Sequence, residues 1–339
     1  PAGMSKTLEI LAEEPDVGAL LFIMTPQPAM DSLFETIRRI GMEWGVPALI
    51  CNKAGSLVRE HVEDIAKEIG YPVYTSLDDC YRVLESLMAY RRTQNYDSSP
   101  YTAEIPVEAL ETVAKKFKFD LLTEPEAKRL LAAVGVPVIR EVIVEDAEAA
   151  VKAARQINCP VGLKGVARGL IHKSDIGAVR LHIPDVAAVR SAFLEIQEAI
   201  LENDPEAIIE GCLVTEMVSG GVVEAFVGTS WDPQHGPGVL VGAGGVFVEI
   251  FKDFKLAAAP VTRERALEMI KTLQSFPLFD GARGRPKADV VALADIVSRV
   301  SLLAAHFGSR LRELDVNPVI VKAEGKGAFA VDASAVWKA

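Results

Sequence analysis

The sequence predicts an α/β protein in which a parallel-sheet domain precedes a two-lobed α+β module. Along residues 4–95, short apolar runs alternate with helical stretches, as expected of parallel strands covered on both faces. From Asp120 onward the pattern changes to strand pairs that flank helices. A length of 339 residues leaves room for two or three domains at about 150 residues each.

The elements of the first domain follow from its apolar runs. The runs GALLFIM, VPALICNK and YPVY are continuous enough for buried strands. The helices expected around them cover residues 4–14, 31–44, 58–69 and 77–90. Residues 91–119 begin polar with two prolines and end basic, which is typical of a linker with one short helix. We therefore place this domain at residues 1–95 and the linker at 96–119.

The α+β module divides into lobes at residues 120–206 and 207–339. Thr123, followed three residues later by Glu126, has the signature of a helix start, and Gly135 before a proline marks the helix end. The strands PVIREVIV and CPVGLKGV then flank the helix DAEAAVKAARQI. The second lobe has strands in IIEGCLVTEMV, VVEAFVGTSW and GPGVLVGAGG, a helix at 289–306, and strands in LRELDVNPVIV and GAFAVDA.

Composition excludes several classes of protein. Half of the residues are apolar and 24% are charged, which suits a folded chain, and a net charge of −11 argues against a dedicated nucleic-acid or membrane-surface binder. No apolar run approaches the length of a bilayer span. The four cysteines form no CxxC pair, so we expect no structural zinc, no disulfide framework and a cytoplasmic setting. Because the first residue is Pro1, we expect a processed chain or part of a longer one.

The first candidate site is a lysine followed by a glycine-containing loop. Lys164 ends the strand CPVGLK, and such a pairing can place a cation and backbone N–H groups against phosphates. His172 stands in this loop, followed by Lys173 and Ser174. An exposed imidazole can accept a phosphoryl group at neutral pH, with a solvated or structural histidine as the commoner alternative.

The second candidate site is the segment TEMVSGGVVEAFVG. Glu216 and Glu224 lie on two strand-like runs joined by SGG, so a tight connection could bring both carboxylates to one cleft. There the backbone could bind an adenine, and a carboxylate could bind a ribose. The alternative is an ordinary surface hairpin with solvated acids.

Two further candidate sites lie in the second lobe. Asp315, Asn317 and Asp332 are hard oxygen ligands near strand ends and suit Mg²⁺ held together with nucleotide phosphates, although Asn-Pro is also a common turn. GAGG at 242–245 allows close backbone approach, and Arg283 and Arg285 could bind anions or be solvated.

In this order, the motifs resemble the NDP-forming acyl-CoA synthetases, relatives of succinyl-CoA synthetase. The resemblance rests on PVGLK…GLIHKSDIGAV, CLVTEMV, WDPQHGPGVLVGAGGVFVEIFKD, GARGRP and ELDVNPVIV…AVDA. Residues 120–339 look like the ATP-grasp module of that family, and residues 1–95 look like its flavodoxin-like ligase domain. The implied reaction converts a carboxylate, CoA and ATP into acyl-CoA, ADP and phosphate. The choice of ATP or GTP stays open, as does the carboxylic acid.

The resemblance implies a role for each candidate residue. His172 would carry the phosphoryl group as phosphohistidine on a swinging loop, and Lys164 would contact the nucleotide phosphates. The adenine would lie at Glu216, Val218 and Ser219. Glu224 would hold the ribose, and Asn317 and Asp332 would ligate Mg²⁺ with Asp315 nearby. By the position of their motifs, we add Lys173, Ser174 and Arg283 to the cofactor-binding set.

The resemblance also implies missing parts. The CoA-binding module and the module with a second phosphohistidine are absent from these residues, so we expect CoA and the acid to be bound by upstream modules or a partner subunit in a homo- or hetero-oligomer. Two alternatives stay open. One is a non-catalytic regulatory module of a protein acetyltransferase fusion, and the other is an ATP-grasp ligase without a histidine relay.

Overall fold

The chain folds into two compact units, Pro1–Pro100 and Tyr101–Ala339. They are seen in a computed structural model, which describes residues 2–24, 31–43, 45–53, 63–65, 67–68, 70, 72–94, 104–158, 160–167, 176–244 and 253–338. One parallel sheet and two antiparallel sheets are present in these residues. The predicted mixed α/β class is confirmed.

The first unit is built around a three-stranded parallel sheet in the order β1-β2-β3. Its elements are α1 (Ala2–Glu13), β1 (Leu20–Met24), α2 (Asp31–Glu43), β2 (Ala48–Asn52), β3 (Val73–Tyr74) and α3 (Leu77–Gln94). Ala48 and Ile50 of β2 pack with α1 and α2, whereas Leu49 and Cys51 pack with α3. Because both faces of β2 are buried, its sequence is apolar without alternation. Of the helix expected at 58–69, only residues 63–65 and 67–68 are described, and they are helical.

The second unit contains a four-stranded antiparallel sheet with helices on one face. Its strands are β5 (Glu141–Val144), β6 (Val161–Ala167), β7 (Val179–Ile183) and β8 (Ile209–Glu216), in the order β5-β8-β6-β7. Two helices, α6 (Ala147–Ile157) and α7 (Val186–Asn203), cover one face. Leu163 and Val214 point into this helical core, so Lys164 and Leu213, which alternate with them, belong to the opposite face.

The larger sheet of this unit has seven antiparallel strands. Its order is β11-β10-β9-β12-β14-β4, with β13 also paired to β12. The strands are β4 (Leu121–Leu122), β9 (Gly221–Asp232), β10 (Gly236–Ala243), β11 (Phe254–Ala258), β12 (Leu311–Lys322), β13 (Ala328–Ala330) and β14 (Ser334–Trp337). The helices are α4 (Val107–Ala114), α5 (Glu124–Ala133), α8 (Arg263–Lys271), α9 (Phe276–Phe279) and α10 (Val290–Phe307), with 3₁₀ turns at Ala282–Gly284 and Gly308–Arg310.

The long apolar helix α10 lies in the core of the larger sheet. The stretch Val290–Arg310 has 21 residues and a mean hydropathy of 1.7, and within the described residues it is the one helix long and apolar enough to cross a membrane. The expectation from the sequence is that no apolar run approaches the length of a bilayer span, and this helix is an exception to it. Val297 and Leu303 on this helix are buried against the sheet, and 61% of its apolar window is buried, as expected of a core helix.

Two segments lie in different parts of the module from those expected. Strand β8 pairs with β5 and β6, so the sheet containing the first-lobe strands extends to Glu216 instead of ending before residue 207. Helix α5 packs in the core of the larger sheet, although the sequence groups it with the first lobe. Helix α4, inside the expected linker, also joins this core through Leu110 and Ala114. These contacts join residues distant in sequence, which local patterns do not reveal.

Candidate functional site

Lys164 is the centre of the site, on the face of the four-stranded sheet opposite its helices. Its Nζ donates to Glu124 Oε1 and to Asp332 Oδ2, both at 2.7 Å. Its side chain is 7% exposed. Burial alone would lower the pKa of Lys164, but the charges of Glu124 and Asp332 together raise that pKa above its ordinary value. The ammonium group is therefore charged and lies between the carboxylates of Glu124 on α5 and Asp332 in the segment that follows β13.

Two further charged residues continue this contact into the interior. Lys128 Nζ donates to Glu124 Oε1 at 2.8 Å and to Glu141 Oε2 at 2.5 Å. Glu124 and Lys128 have side chains only 1% and 2% exposed. The result is a buried charge chain, defined as Glu141, Lys128, Glu124, Lys164 and Asp332, in which acids and bases alternate. It connects both sheets of the second unit.

Asp332, Asp315 and Asn317 lie together at the outer end of the charge chain. The backbone N–H of Asn317 donates to the carbonyl of Asp332 at 3.2 Å. Partial burial and the neighbouring Asp332 carboxylate raise the pKa of Asp315, although its side chain also reaches solvent. Asp315 and Asn317 alternate with the buried Leu314 and Val316, so strand periodicity keeps them off the core face.

This set of oxygen ligands fits a magnesium ion that also binds phosphate. Within the described residues, no group of three or more His, Cys, Asp and Glu side chains could hold a metal by itself. Mg²⁺ is commonly held by one or two carboxylates, with waters and substrate phosphates completing its octahedral shell. Asp332 and Asp315 could supply such carboxylates, and the Asn317 amide could add a hard oxygen donor.

Glu224 lies on the exposed face of β9, the strand that pairs with β12. Its neighbour across the strands is Ile320, and its own carbonyl accepts a bond from the N–H of Gly244 at 2.7 Å. The adjacent Ala225 is buried in the core. Glu224 and Asp315 both alternate with buried residues along their strands. Their side chains are therefore on the same side of the larger sheet, opposite the core.

Glu216 lies at the end of β8, where the chain leaves the smaller sheet. Arg140 Nε donates to Glu216 Oε2 at 2.7 Å, and the N–H of Glu216 donates to the Arg140 carbonyl at 2.9 Å. Val218 and the exposed Ser219 follow in the connection to β9. This connection joins two different sheets, so it is not the hairpin considered from the sequence.

Several predicted residues lie outside the described part of the chain. These are His172, Lys173 and Ser174, in the interval between β6 and β7, and part of GAGG, which ends at Gly245. Arg283 belongs to the turn Ala282–Gly284, but its side chain is also outside the described part. Contacts of these side chains stay predictions.

Sequence reasoning missed Glu124, Lys128 and Glu141. The signal was available for two of them, because Glu124 and Lys128 are four residues apart and share the buried side of α5 with Leu131. Charged residues on the apolar side of a helix require partners. From the sequence, this helix is predicted only by the start signal at Thr123 and Glu126 and the end signal at Gly135.

Comparison with known proteins identifies the family of the second unit. Residues 114–336 match the family model described as an ATP-grasp domain. The beta subunit of acetate–CoA ligase [ADP-forming] I from Pyrococcus furiosus is 40% identical over 212 residues, covering 62% of this chain and 90% of that subunit. The 4-hydroxybutyrate–CoA ligase [ADP-forming] of Nitrosopumilus maritimus is 30% identical over 331 residues, covering 96% of this chain and 47% of the ligase.

A solved relative is acetyl-coenzyme A synthetase 1 of Candidatus Korarchaeum cryptofilum. Its complex with coenzyme A and Ca-AMPCP has a TM-score of 0.63 and 38% identity, covering 68% of this chain and 98% of that chain. In its complex with coenzyme A and Mg-AMPPCP, the phosphohistidine segment points towards the nucleotide-binding site; this structure has a TM-score of 0.58 and 34% identity, covering 68% and 99%.

The second unit therefore has an ATP-grasp fold, a class that binds nucleotides between two lobes. The chain belongs to the ATP-grasp family and corresponds to the nucleotide-binding part of ADP-forming acyl-CoA ligases. It spans about half the length of the Nitrosopumilus ligase that it matches, at 47%.

Proposed function

We propose that this chain provides the nucleotide-binding part of an enzyme that converts a carboxylate, CoA and ATP into acyl-CoA, ADP and phosphate. The observation that carries the proposal is the 2.7 Å contact between Lys164 and Asp332. It brings a cation suited to phosphate and a carboxylate suited to Mg²⁺ together from segments 168 residues apart. The names of the Pyrococcus and Nitrosopumilus relatives support this activity.

In this proposal the nucleotide lies in the cleft between the two sheets. Lys164 binds its phosphates, while Glu216, Val218 and Ser219 contact the adenine. Glu224 binds the ribose, and Arg283 adds a cation for the phosphates. Asn317 and Asp332, with Asp315, would hold Mg²⁺, which neutralises phosphate charge during phosphoryl transfer. The Mg-AMPPCP complex of the Korarchaeum protein supports the choice of nucleotide and metal.

The proposal includes a phosphohistidine relay at His172. A ring nitrogen attacks the γ-phosphorus of ATP, the bond from phosphorus to the bridging oxygen breaks, and ADP leaves. Phosphohistidine then transfers the phosphoryl group to the carboxylate substrate, and CoA displaces phosphate from the acyl phosphate. Lys173 and Ser174 would contact the transferred group. The phosphohistidine segment described for the Korarchaeum protein supports this role.

CoA and the acid are bound elsewhere in this proposal. Upstream modules or a partner subunit would supply those sites, in agreement with the separate beta subunit of the Pyrococcus enzyme. The assembly would be a homo- or hetero-oligomer acting in the cytoplasm.

The test is phosphoryl transfer from labelled ATP. With Mg²⁺ and γ-labelled ATP, the chain should acquire acid-labile label on His172, and ADP should remove it. His172→Ala should carry no label. His235→Ala is the matched control, because His235 is an exposed histidine bonded to Asp232. Absence of label on the unmodified chain, or equal label on His172→Ala, contradicts the relay.

A further inference from the structure

The inner part of the charge chain has no role in the function proposed above. Glu124 is nearly sealed from solvent, with a side chain 1% exposed, and its Oε1 accepts from both Lys128 and Lys164. Asp332, the other carboxylate on Lys164, is 35% exposed at the cleft. Lys164 therefore lies between one carboxylate that can reach a ligand and one that is enclosed.

The two carboxylates cannot serve Lys164 equally once nucleotide and metal are present. An Asp332 carboxylate that binds Mg²⁺ has less negative charge available for Lys164. A buried ammonium group needs a compensating charge close by, because an ammonium group that is desolvated without a partner is displaced towards solvent. Glu124 can supply that charge without entering the cleft.

Lys128 explains why Glu124 can remain ionised in the interior. Its ammonium group is 2.8 Å from Glu124 and 2.5 Å from Glu141. Glu124 and Lys128 are also one helical turn apart on α5, a spacing suited to an ion pair. The capping box formed by Thr123 and Glu126 fixes the start of that helix next to the site.

We propose that Glu124 is a positioning residue that keeps the ammonium group of Lys164 in the cleft when the Asp332 carboxylate is committed to Mg²⁺. The inference rests on the proposed nucleotide site. Its signature is conditional: Glu124 matters most for nucleotide binding when metal is present. Without metal, Asp332 still holds Lys164.

The test compares ADP binding to the full chain in Mg²⁺ and in EDTA by calorimetry. Glu124→Gln is suited to it, because Lys128 keeps Glu141 and Lys164 keeps Asp332 as partners. We expect this variant to lose about tenfold or more in ADP affinity with Mg²⁺ and less than about threefold in EDTA. Glu124→Asp, which retains the charge with a shorter reach, should show an intermediate loss with the same metal dependence.

Glu111→Gln is the matched control. Glu111 also contacts two basic side chains, since it accepts from Arg310 and lies 3.1 Å from His306 Nε2, but it is on α4 and outside the charge chain. It should bind ADP as the unmodified chain does in both conditions. If Glu124→Gln loses the same ADP affinity in Mg²⁺ and in EDTA, or loses none, the positioning role is overturned. If the glutamine variant does not fold, the same comparison for Glu124→Asp decides. Failure of the unmodified chain to bind ADP contradicts the proposed function instead.

Discussion

The side chains around Lys164 are energetically interdependent because they share partners. Lys164 is held by two carboxylates at 2.7 Å, and Glu124 is held by two ammonium groups. Removal of one partner from a buried ion pair is typically more damaging than the net stabilisation by the pair, since a charge stays behind. Substitutions here should therefore be read as effects on the whole charge chain.

Asp332→Asn tests the metal side of the site. The amide retains the shape of the side chain, and Lys164 keeps Glu124, so we expect a folded protein. Affinity for ADP in Mg²⁺ should fall about tenfold, and its dependence on Mg²⁺ should largely disappear, because a charged ligand is lost. Calorimetric titration measures this, with Asp295→Asn as the control, since Asp295 pairs with Arg299 outside the charge chain. Unchanged metal dependence contradicts the Asp332 assignment.

Cys212 provides a prediction about pH. Burial on β8 raises the pKa of its thiol above its ordinary value, to about 12. The unfolded chain loses this proton at a lower pH than the folded chain. The Cys212 contribution to the free energy of unfolding should thus be constant below about pH 9 and fall above it, by up to about 1.4 kcal/mol per pH unit. Denaturant titrations at a series of pH values should show that the free energy of unfolding falls more steeply above about pH 9 for the unmodified chain than for Cys212→Ala. Parallel pH profiles for the two proteins contradict this prediction.

The sequence identified part of the candidate site and left the rest hidden. Lys164 and Asp332 were selected as separate motifs, and the structure brings them into contact. Glu141 gave no signal, because an acid at the start of an exposed edge strand is ordinary until a buried lysine from another element meets it. Such a partner is fixed by tertiary packing, which local spacing does not encode.

At the level of elements, α5 connects helix capping to the site. The backbone N–H of Thr123 donates to Glu126 Oε2 at 2.8 Å, which confirms the predicted cap. The same helix carries Glu124 and Lys128 in its first turns. Order at the helix start is therefore linked to the position of the charge chain.

Thr123→Ala tests this link. Loss of a threonine cap typically reduces the free energy of unfolding by about 1 kcal/mol. We expect a decrease of that size in denaturant titration, together with weaker ADP binding. Thr272→Ala is the comparison, because Thr272 lies at the end of α8 and its hydroxyl donates to the Met269 carbonyl. Equal effects of the two substitutions on ADP affinity contradict a special role for the α5 start.

The close pairing of β8 with its neighbouring strand requires a glycine at position 211. Gly211 has a φ of 132°, and a Cβ there would lie 2.2 Å from the Val144 carbonyl oxygen of the neighbouring strand. Gly211→Ala should destabilise the protein by several kcal/mol, more than the roughly 1 kcal/mol expected for Gly236→Ala. Gly236 also has a positive φ of 77° but has open space around it. Similar unfolding free energies for the two variants contradict this account.

Element positions were predicted better than element partners. The apolar runs located β1 and β2, and the capping signature at Thr123 with the end signal at Gly135 located α5. The assignment of β8 to the smaller sheet was not accessible, since adjacent strands along a chain usually pair and β8 and β9 do not. Pairing depends on long-range register, which a single apolar run does not specify.

At the scale of the whole molecule, the family match is confined to one of the two units. The ATP-grasp match covers residues 114–336 and therefore lies within the second unit. Ligand binding to one folded unit stabilises that unit by mass action. The two units need not unfold as one transition.

Mg²⁺ and ADP should therefore raise the unfolding temperature of the second unit selectively. At a ligand concentration of about 100 times Kd, the stabilisation is about 2.7 kcal/mol. Calorimetry should show one transition that moves with ADP, and hydrogen exchange should assign the added protection to residues 104–338. Protection confined to residues 2–94 contradicts the location of the site.

The charge chain contains three carboxylates and two ammonium groups, and its solvent-accessible end is the carboxylate of Asp332. With Asp315 beside it, this end of the proposed nucleotide site should repel a metal-free nucleotide more strongly than a nucleotide whose phosphates are already complexed. The charge of the nucleotide should therefore decide which form of it binds. In a mixture of the two forms, we expect the proposed site to select the complexed nucleotide.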